Sequence, residues 1–217
     1  METGPCFAEL AGLFLALLGC ISSLVAILMP QWLTVSSGLL VNEHFLLGLW
    51  EACVIQDLNR SVCEGYSTPL AFSAEMQMTR ILMCFSLSKG LLGVGVTIPG
   101  LTCVTILGDT EVHTKRNMTI CGGILAFLAG VLTLIPVSYM IHSTVVKFWD
   151  PDLSSMVPRW ECGSAMICAW FSGFLLLVGG IILMKSQFCI VGSPESKGHF
   201  CAQALVYTEV SSNMEYV

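Results

Sequence analysis

The stretch LAGLFLALLGCISSLVAILM, residues 10–29, decides what kind of protein this chain forms. It holds no charged side chain, and it has about the 20 residues that an α-helix needs to cross roughly 30 Å of hydrocarbon. The residues before it include Glu2 and Glu9 but no Lys or Arg, whereas a cleaved signal peptide begins with a basic segment. We therefore expect residues 10–29 to form a retained transmembrane helix.

Three further apolar runs predict three more spans. They are residues 81–107, interrupted by Lys89 and Pro99; residues 118–141, which contain Pro136; and residues 164–184. Only 11% of the 217 residues are charged, against about a quarter in soluble domains, so lipid is the expected solvent. Transmembrane β-strands alternate apolar and polar residues over about ten positions, and these runs do not. The composition therefore predicts four helices, with Lys89 as their single charge.

Small residues recur within the predicted spans and predict close helix packing. They are Gly90, Gly93, Gly95, Gly122, Gly123 and Gly130.

The spans divide the rest of the chain into five segments: residues 1–9, 30–80, 108–117, 142–163 and 185–217. Four spans place both termini on one side. Lys and Arg divide four to four between the two sides, so their number leaves the orientation open. Lys115 and Arg116 lie directly beside a span, which favours a cytoplasmic short loop at 108–117 and hence cytoplasmic termini.

The long loop 30–80 contains two cysteines, Cys53 and Cys63. If the loop is extracellular they form a disulfide, whereas in the cytosol they remain free thiols. Residues 45–49 and 54–55 favour β-structure. The loop is therefore expected to form a small sheet, stapled by the disulfide if it lies outside the cell.

The loop contains a motif of widely spaced residues: Trp32, then Gly48, Leu49 and Trp50, then Cys53 and Cys63, then Arg80 before the second span. This order of residues resembles that of the claudin family of tight-junction proteins. This pattern alone is shared with the peripheral-myelin-protein and calcium-channel gamma-subunit groups. It therefore leaves open an auxiliary membrane protein that binds a channel or another partner in the same membrane. The second loop, with Phe148, Trp149 and Pro151, and the tail favour a claudin.

The resemblance implies a membrane α-helical fold: a left-handed four-helix bundle with a small extracellular antiparallel β-sheet. Four strands come from the first loop and one from the second, and both termini are cytoplasmic. Copies associate with other claudins side by side and between cells, at the tight junction of the plasma membrane, and so control paracellular permeability. The resemblance also implies that Phe148, Trp149 and Pro151 contact neighbouring claudins, and an interfacial anchoring role for them stays open.

Loop charge suggests a preference for cations. Residues 30–80 carry five acidic and two basic side chains, and a negative wall favours cations. In claudins the residue after the second cysteine faces the paracellular route, which makes Glu64 the first candidate, with Asp57 and Glu51 behind it. The alternative is a solvated loop face, screened over about 8 Å at physiological salt.

The remaining candidates concern the inner side and the membrane. Cys103 and Cys189 flank helix ends, where they are either palmitoylated or ordinary reduced thiols. The C-terminal residues Glu215, Tyr216 and Val217 predict a ligand for a PDZ scaffold of the zonula occludens type. Lys89 is expected to snorkel or to contact polar groups of the bundle, rather than to serve transport.

No known catalytic, cofactor or metal motif is present, so we expect a protein that is not an enzyme and uses no cofactor. A net charge of −6 argues against nucleic-acid binding.

Overall fold

Four long helices dominate the structure, a computed structural model that describes residues 3–35, 44–56, 60–65, 74–101, 112–148 and 160–191. The helices are α1 (Thr3–Leu28), α2 (Ala74–Gly100), α3 (Val112–Phe148) and α4 (Ser164–Val191). Each is long and apolar enough to cross a membrane, and the four-helix prediction is confirmed.

The helices extend beyond the apolar runs because backbone hydrogen bonding continues past the point where hydropathy falls. α1 begins before residue 10 and therefore includes Glu9, and α2 begins early enough to include Glu75. The helices are thus longer than the predicted spans, and they carry charges besides Lys89. Glu9 is fully buried, and its Oε1 accepts a hydrogen bond of 2.5 Å from the side-chain amide of Gln187 in α4.

Glycines let the helices approach closely, as predicted. A Cβ on Gly12 in α1 would lie 3.2 Å from the carbonyl oxygen of Gly179 in α4. Of the six glycines singled out in the sequence, five contact a neighbouring helix. Gly95 differs, because a Cβ there would meet no atom within 4 Å, and it lies on the outer side of α2.

Hydroxyl groups inside the bundle bond to neighbouring helices. The Ser86 hydroxyl of α2 donates to the carbonyl of Ala129 in α3 at 2.7 Å and lies 2.6 Å from the Thr133 hydroxyl. The Ser172 hydroxyl of α4 donates to Gly19 in α1 at 3.1 Å. These hydroxyl groups thus find partners away from lipid, as a membrane interior requires.

The described residues contain five strands, which form one antiparallel sheet of order β4-β3-β2-β1-β5 and confirm the four-plus-one arrangement. The strands are β1 (Leu33–Val35), β2 (His44–Leu47), β3 (Glu51–Gln56), β4 (Arg60–Gly65) and β5 (Trp160–Cys162). The sheet lies where α1 ends, α2 begins, α3 ends and α4 begins. We call this the sheet end of the bundle, and the opposite one the far end.

Candidate functional site

Trp32 joins the sheet to the helices. Its side chain is fully buried, and its indole Nε1–H donates a hydrogen bond of 2.8 Å to the carbonyl of Ala26 in α1. Its backbone N–H donates to Leu47 of β2 at 3.0 Å, and its carbonyl accepts from Gly163 at 2.9 Å. One residue therefore links the end of α1, a central strand and the start of α4.

The turn between β2 and β3 inserts a side chain into the bundle. The N–H of Gly48 donates to the carbonyl of Glu51 at 2.9 Å, and a Cβ on Gly48 would lie 2.6 Å from the Cα of Pro30. Only glycine permits this approach of two backbones. The next residue, Leu49, is 1% exposed and lies in the apolar cluster at the sheet end. Other large members of this cluster are Trp32, Met76, Met83, Val137 and Met166.

Arg80 secures the same turn from α2. Its Nη2 donates to the carbonyl of Leu49, and its Cζ lies 4.7 Å from the centre of the Trp50 ring. This is a cation–π arrangement. Trp50 remains 45% exposed despite the contact with Arg80. The family motif thus has a physical role, because its residues hold the sheet in one orientation on the helices.

The predicted disulfide is present. Cys53 and Cys63 are directly paired in β3 and β4, and their Cα atoms are 4.0 Å apart. The carboxylate of Glu51 lies near both sulfur atoms, within 4.8 Å. Sulfur atoms bonded to each other offer no thiolate to a metal, so this group is not a metal centre.

Strand register separates two of the candidate selectivity residues. Glu64 pairs with Ala52, whereas Glu51 pairs with Gly65. Because side chains alternate along a strand, Glu64 and Glu51 lie on opposite faces of the sheet. Glu51 shares its face with the disulfide.

The Glu64 face is covered by helices at one side and open at the other. Leu33 and Leu47, which the pairing places on this face, pack against the apolar cluster. Glu64 and Val62 lie on the same face at the edge strand β4, and both are exposed. The carboxylate of Glu64 therefore lies on a part of the sheet that the helices of the chain do not cover.

Glu75 forms an ion pair that the sequence did not indicate. Its Oε1 lies 2.7 Å from the Nζ of Lys147 near the end of α3, and the Ser143 hydroxyl donates to both carboxylate oxygens, at 3.3 and 3.2 Å. Glu75 is one of the five acidic side chains of residues 30–80. Its charge is balanced locally, so it contributes little to the net negative charge of this segment.

Several candidates fall outside what the structure describes. They are Asp57, Trp149, Pro151, Cys103, Glu215, Tyr216 and Val217, together with the side chains of Phe148 and Cys189. Cys162 is described: its free thiol is half-buried in β5, and burial raises its pKa above the usual value. The thiol is therefore protonated at neutral pH.

Together these features define a class of protein. Four helices suited to a membrane carry, at one end, a disulfide-bonded antiparallel sheet that Trp32, Leu49 and Arg80 hold in place. Residues 7–183 match the PMP-22/EMP/MP20/Claudin family, and the chain belongs to that family.

Individual relatives are claudins. The chain is 33% identical to mouse Claudin-1 over 82% of its own length and 85% of that protein. It is 32% identical to rat Claudin-7, covering 96% of this chain and 97% of the relative. Human Claudin-6 is 29% identical, over 90% of this chain and 88% of that protein.

Proposed function

We propose that this chain is a structural and adhesive component of tight-junction strands and that it controls paracellular permeability. Its relatives of similar length are claudins, and its sheet is attached to the helices through buried contacts. A sheet attached in this way keeps its orientation relative to the helices when adhesion pulls on it, so it transmits force from the neighbouring cell to the membrane.

In this proposal the sheet end faces the extracellular space and both termini are cytoplasmic. Phe148, Trp149 and Pro151 contact claudins in the same membrane or across the gap. Glu215, Tyr216 and Val217 bind a PDZ domain of a zonula occludens scaffold in this proposal, because the aliphatic side chain of Val217 suits the pocket of such a domain.

The finer part of the proposal is a preference for cations, and exposed Glu64 is the observation that supports it. Glu64 lies on an edge strand, on the open part of its sheet face. A carboxylate at the wall of a narrow aqueous path attracts cations and repels anions. Glu75 is paired with Lys147 and so is removed from the set of acids that could share this role.

Dilution potentials across an epithelial monolayer test the role of Glu64. At about 4 Å in water one unit charge is worth about 1 kcal/mol, or roughly fivefold in relative ion concentration. We expect Glu64→Lys, which changes the charge by two units, to lower the ratio of Na⁺ to Cl⁻ permeability several-fold.

Glu51→Lys is the matched control, because it makes the same charge change on the opposite face of the sheet. We expect it to leave the permeability ratio near the wild-type value. Equal shifts for both variants would mean that overall loop charge acts, and no shift for Glu64→Lys would mean that Glu64 is only solvated.

Expression in cells that lack tight junctions tests the coarser proposal. Freeze-fracture strands concentrated at cell contacts are expected. A uniform distribution over the surface, with a channel co-purifying, would instead indicate an auxiliary subunit.

A further inference from the structure

Lys89 lies deep in the membrane-spanning part of α2. Arg80, held at the sheet end by Leu49, precedes it by nine residues, or about 13 Å along the helix axis. The helix continues to Gly100, about 16 Å beyond Lys89. A lysine side chain spans roughly 6 Å at ordinary C–C bond lengths. Snorkelling therefore brings the ammonium group closer to an interface but leaves it within the hydrocarbon layer.

Lys89 lies at the border between a packed side and an open side of α2. Ser86 and Gly93, three residues before and four after it, contact α3. Phe85 and Leu92, four before and three after, are 59% and 62% exposed. Lys89 itself is half-buried, so its side chain reaches the outer surface of the bundle.

Neither carboxylate in the described helices is available to Lys89. Glu75 pairs with Lys147 at the sheet end, about 21 Å away along α2. Glu9 is bonded to Gln187 between α1 and α4. Within the described part of the chain, Lys89 forms neither a hydrogen bond nor an ion pair. Charged residues inside membranes are costly and are usually paired, so the lack of a partner among the described residues favours a carboxylate supplied by another molecule.

We propose that the outer face of α2 around Lys89 docks a transmembrane helix of a partner protein that carries a carboxylate at mid-membrane depth. Low dielectric strengthens such a pair, and the partner removes an unpaired charge from lipid. The described helices of a second copy do not supply this carboxylate, because Glu9 and Glu75 are bonded within their own chain and a symmetric α2 contact would bring Lys89 against Lys89. Ser88 and Gly95 are seven residues apart and so share one stripe on the exposed side of α2 next to Lys89, where small side chains permit close approach of a helix.

A defined probe tests this inference in lipid bilayers, separately from any junction assay. The full chain, labelled with a fluorophore, is reconstituted into phosphatidylcholine vesicles with a Leu/Ala helix of about 20 residues. One probe carries a central Asp, and the matched probe has Leu there. Energy transfer reports association. We expect the Asp probe to bind about fivefold to thirtyfold more tightly, as interhelical polar contacts do in model peptides.

Variants decide whether Lys89 is the cause. Lys89→Met should reduce binding of the Asp probe to that of the Leu probe, whereas Lys89→Arg should retain it. Lys185→Met, near the end of α4, is the control and should change nothing. Lys89→Glu should reverse the preference, so that a probe with a central Lys binds better than the Asp probe.

Equal binding of the Asp and Leu probes to the wild-type chain overturns the proposal, and it is the result expected if Lys89 serves only to snorkel. Unchanged binding by Lys89→Met overturns it as well. Each variant is first compared with the wild type in thermal unfolding, and the charge reversal keeps the test decisive if Lys89→Met is unstable. Neither negative result bears on Glu64 or on the tight-junction role.

Discussion

Replacing Gly48 by alanine tests whether the turn between β2 and β3 anchors the sheet. The added Cβ would lie 2.6 Å from the Cα of Pro30 and 3.0 Å from the carbonyl oxygen of Glu51. Both are backbone atoms, which no side-chain rotation moves aside. The turn must therefore shift, and Leu49 must partly leave the apolar cluster in which it is 1% exposed.

The magnitude follows from the cost of overpacking. Forcing an extra methyl group into a filled site costs about 1 to 3 kcal/mol of folding free energy. For a chain of this size each kcal/mol lowers the unfolding temperature by roughly 2 to 4 °C, so a decrease of about 2 to 12 °C is expected.

Thermal unfolding in detergent, followed by tryptophan fluorescence under non-reducing conditions, measures this change. Gly65→Ala is the matched control: Gly65 lies in the same sheet, pairs with Glu51, and has no atom within 4 Å of the position of a Cβ. It should unfold within about 1 °C of the wild type, since exposed substitutions usually change stability by under 0.5 kcal/mol. If Gly48→Ala unfolds at the wild-type temperature, or if both variants fall equally, the steric argument is refuted.

Two further predictions concern buried and exposed polar contacts at the sheet end. Trp32→Phe leaves the carbonyl of Ala26 without its indole partner and should lower the free energy of unfolding by about 1 to 3 kcal/mol. Trp170→Phe, at a 37% exposed position on α4, is the control. An equal loss of stability in both variants would contradict the assigned hydrogen bond. A double-mutant cycle of Glu75→Gln and Lys147→Met should give a coupling of about 0.2 to 1 kcal/mol, because the Lys147 side chain is 53% exposed. Zero coupling in unfolding measurements would show that the pair does not join α2 to α3.

The helices were predictable because lipid imposes a simple requirement. A span must be apolar and about 20 residues long, and both properties are local in sequence. The boundaries were less predictable, since Glu9 and Glu75 continue the helices as polar residues. Each of these carboxylates is stabilised by a partner from a helix that is distant in sequence: Glu9 by Gln187 in α4, and Glu75 by Lys147 in α3.

The candidate site was predictable in composition but not in arrangement. Its two cysteines and the residue after the second one could be named from the chain, and the disulfide is confirmed. That Glu64 and Glu51 face opposite ways depends on the pairing of β3 with β4, and a shift of one residue would reverse it. Arg80 was identifiable only as part of a motif, and its contact with Leu49 and Trp50 required the folded turn.

By itself, then, the sequence determined that the chain has four helices long and apolar enough to cross a membrane and, between the first two, a loop whose two cysteines can pair, because hydrophobic length and residue type can be read locally along the chain. Only the tertiary structure decided which charges remain free. Glu75 is balanced by Lys147, Glu64 lies exposed on an edge strand, and Lys89 is half-buried in α2 without a partner among the described residues. The physical reason is that a charge acts through its neighbours in space, and folding brings together groups that the sequence holds apart.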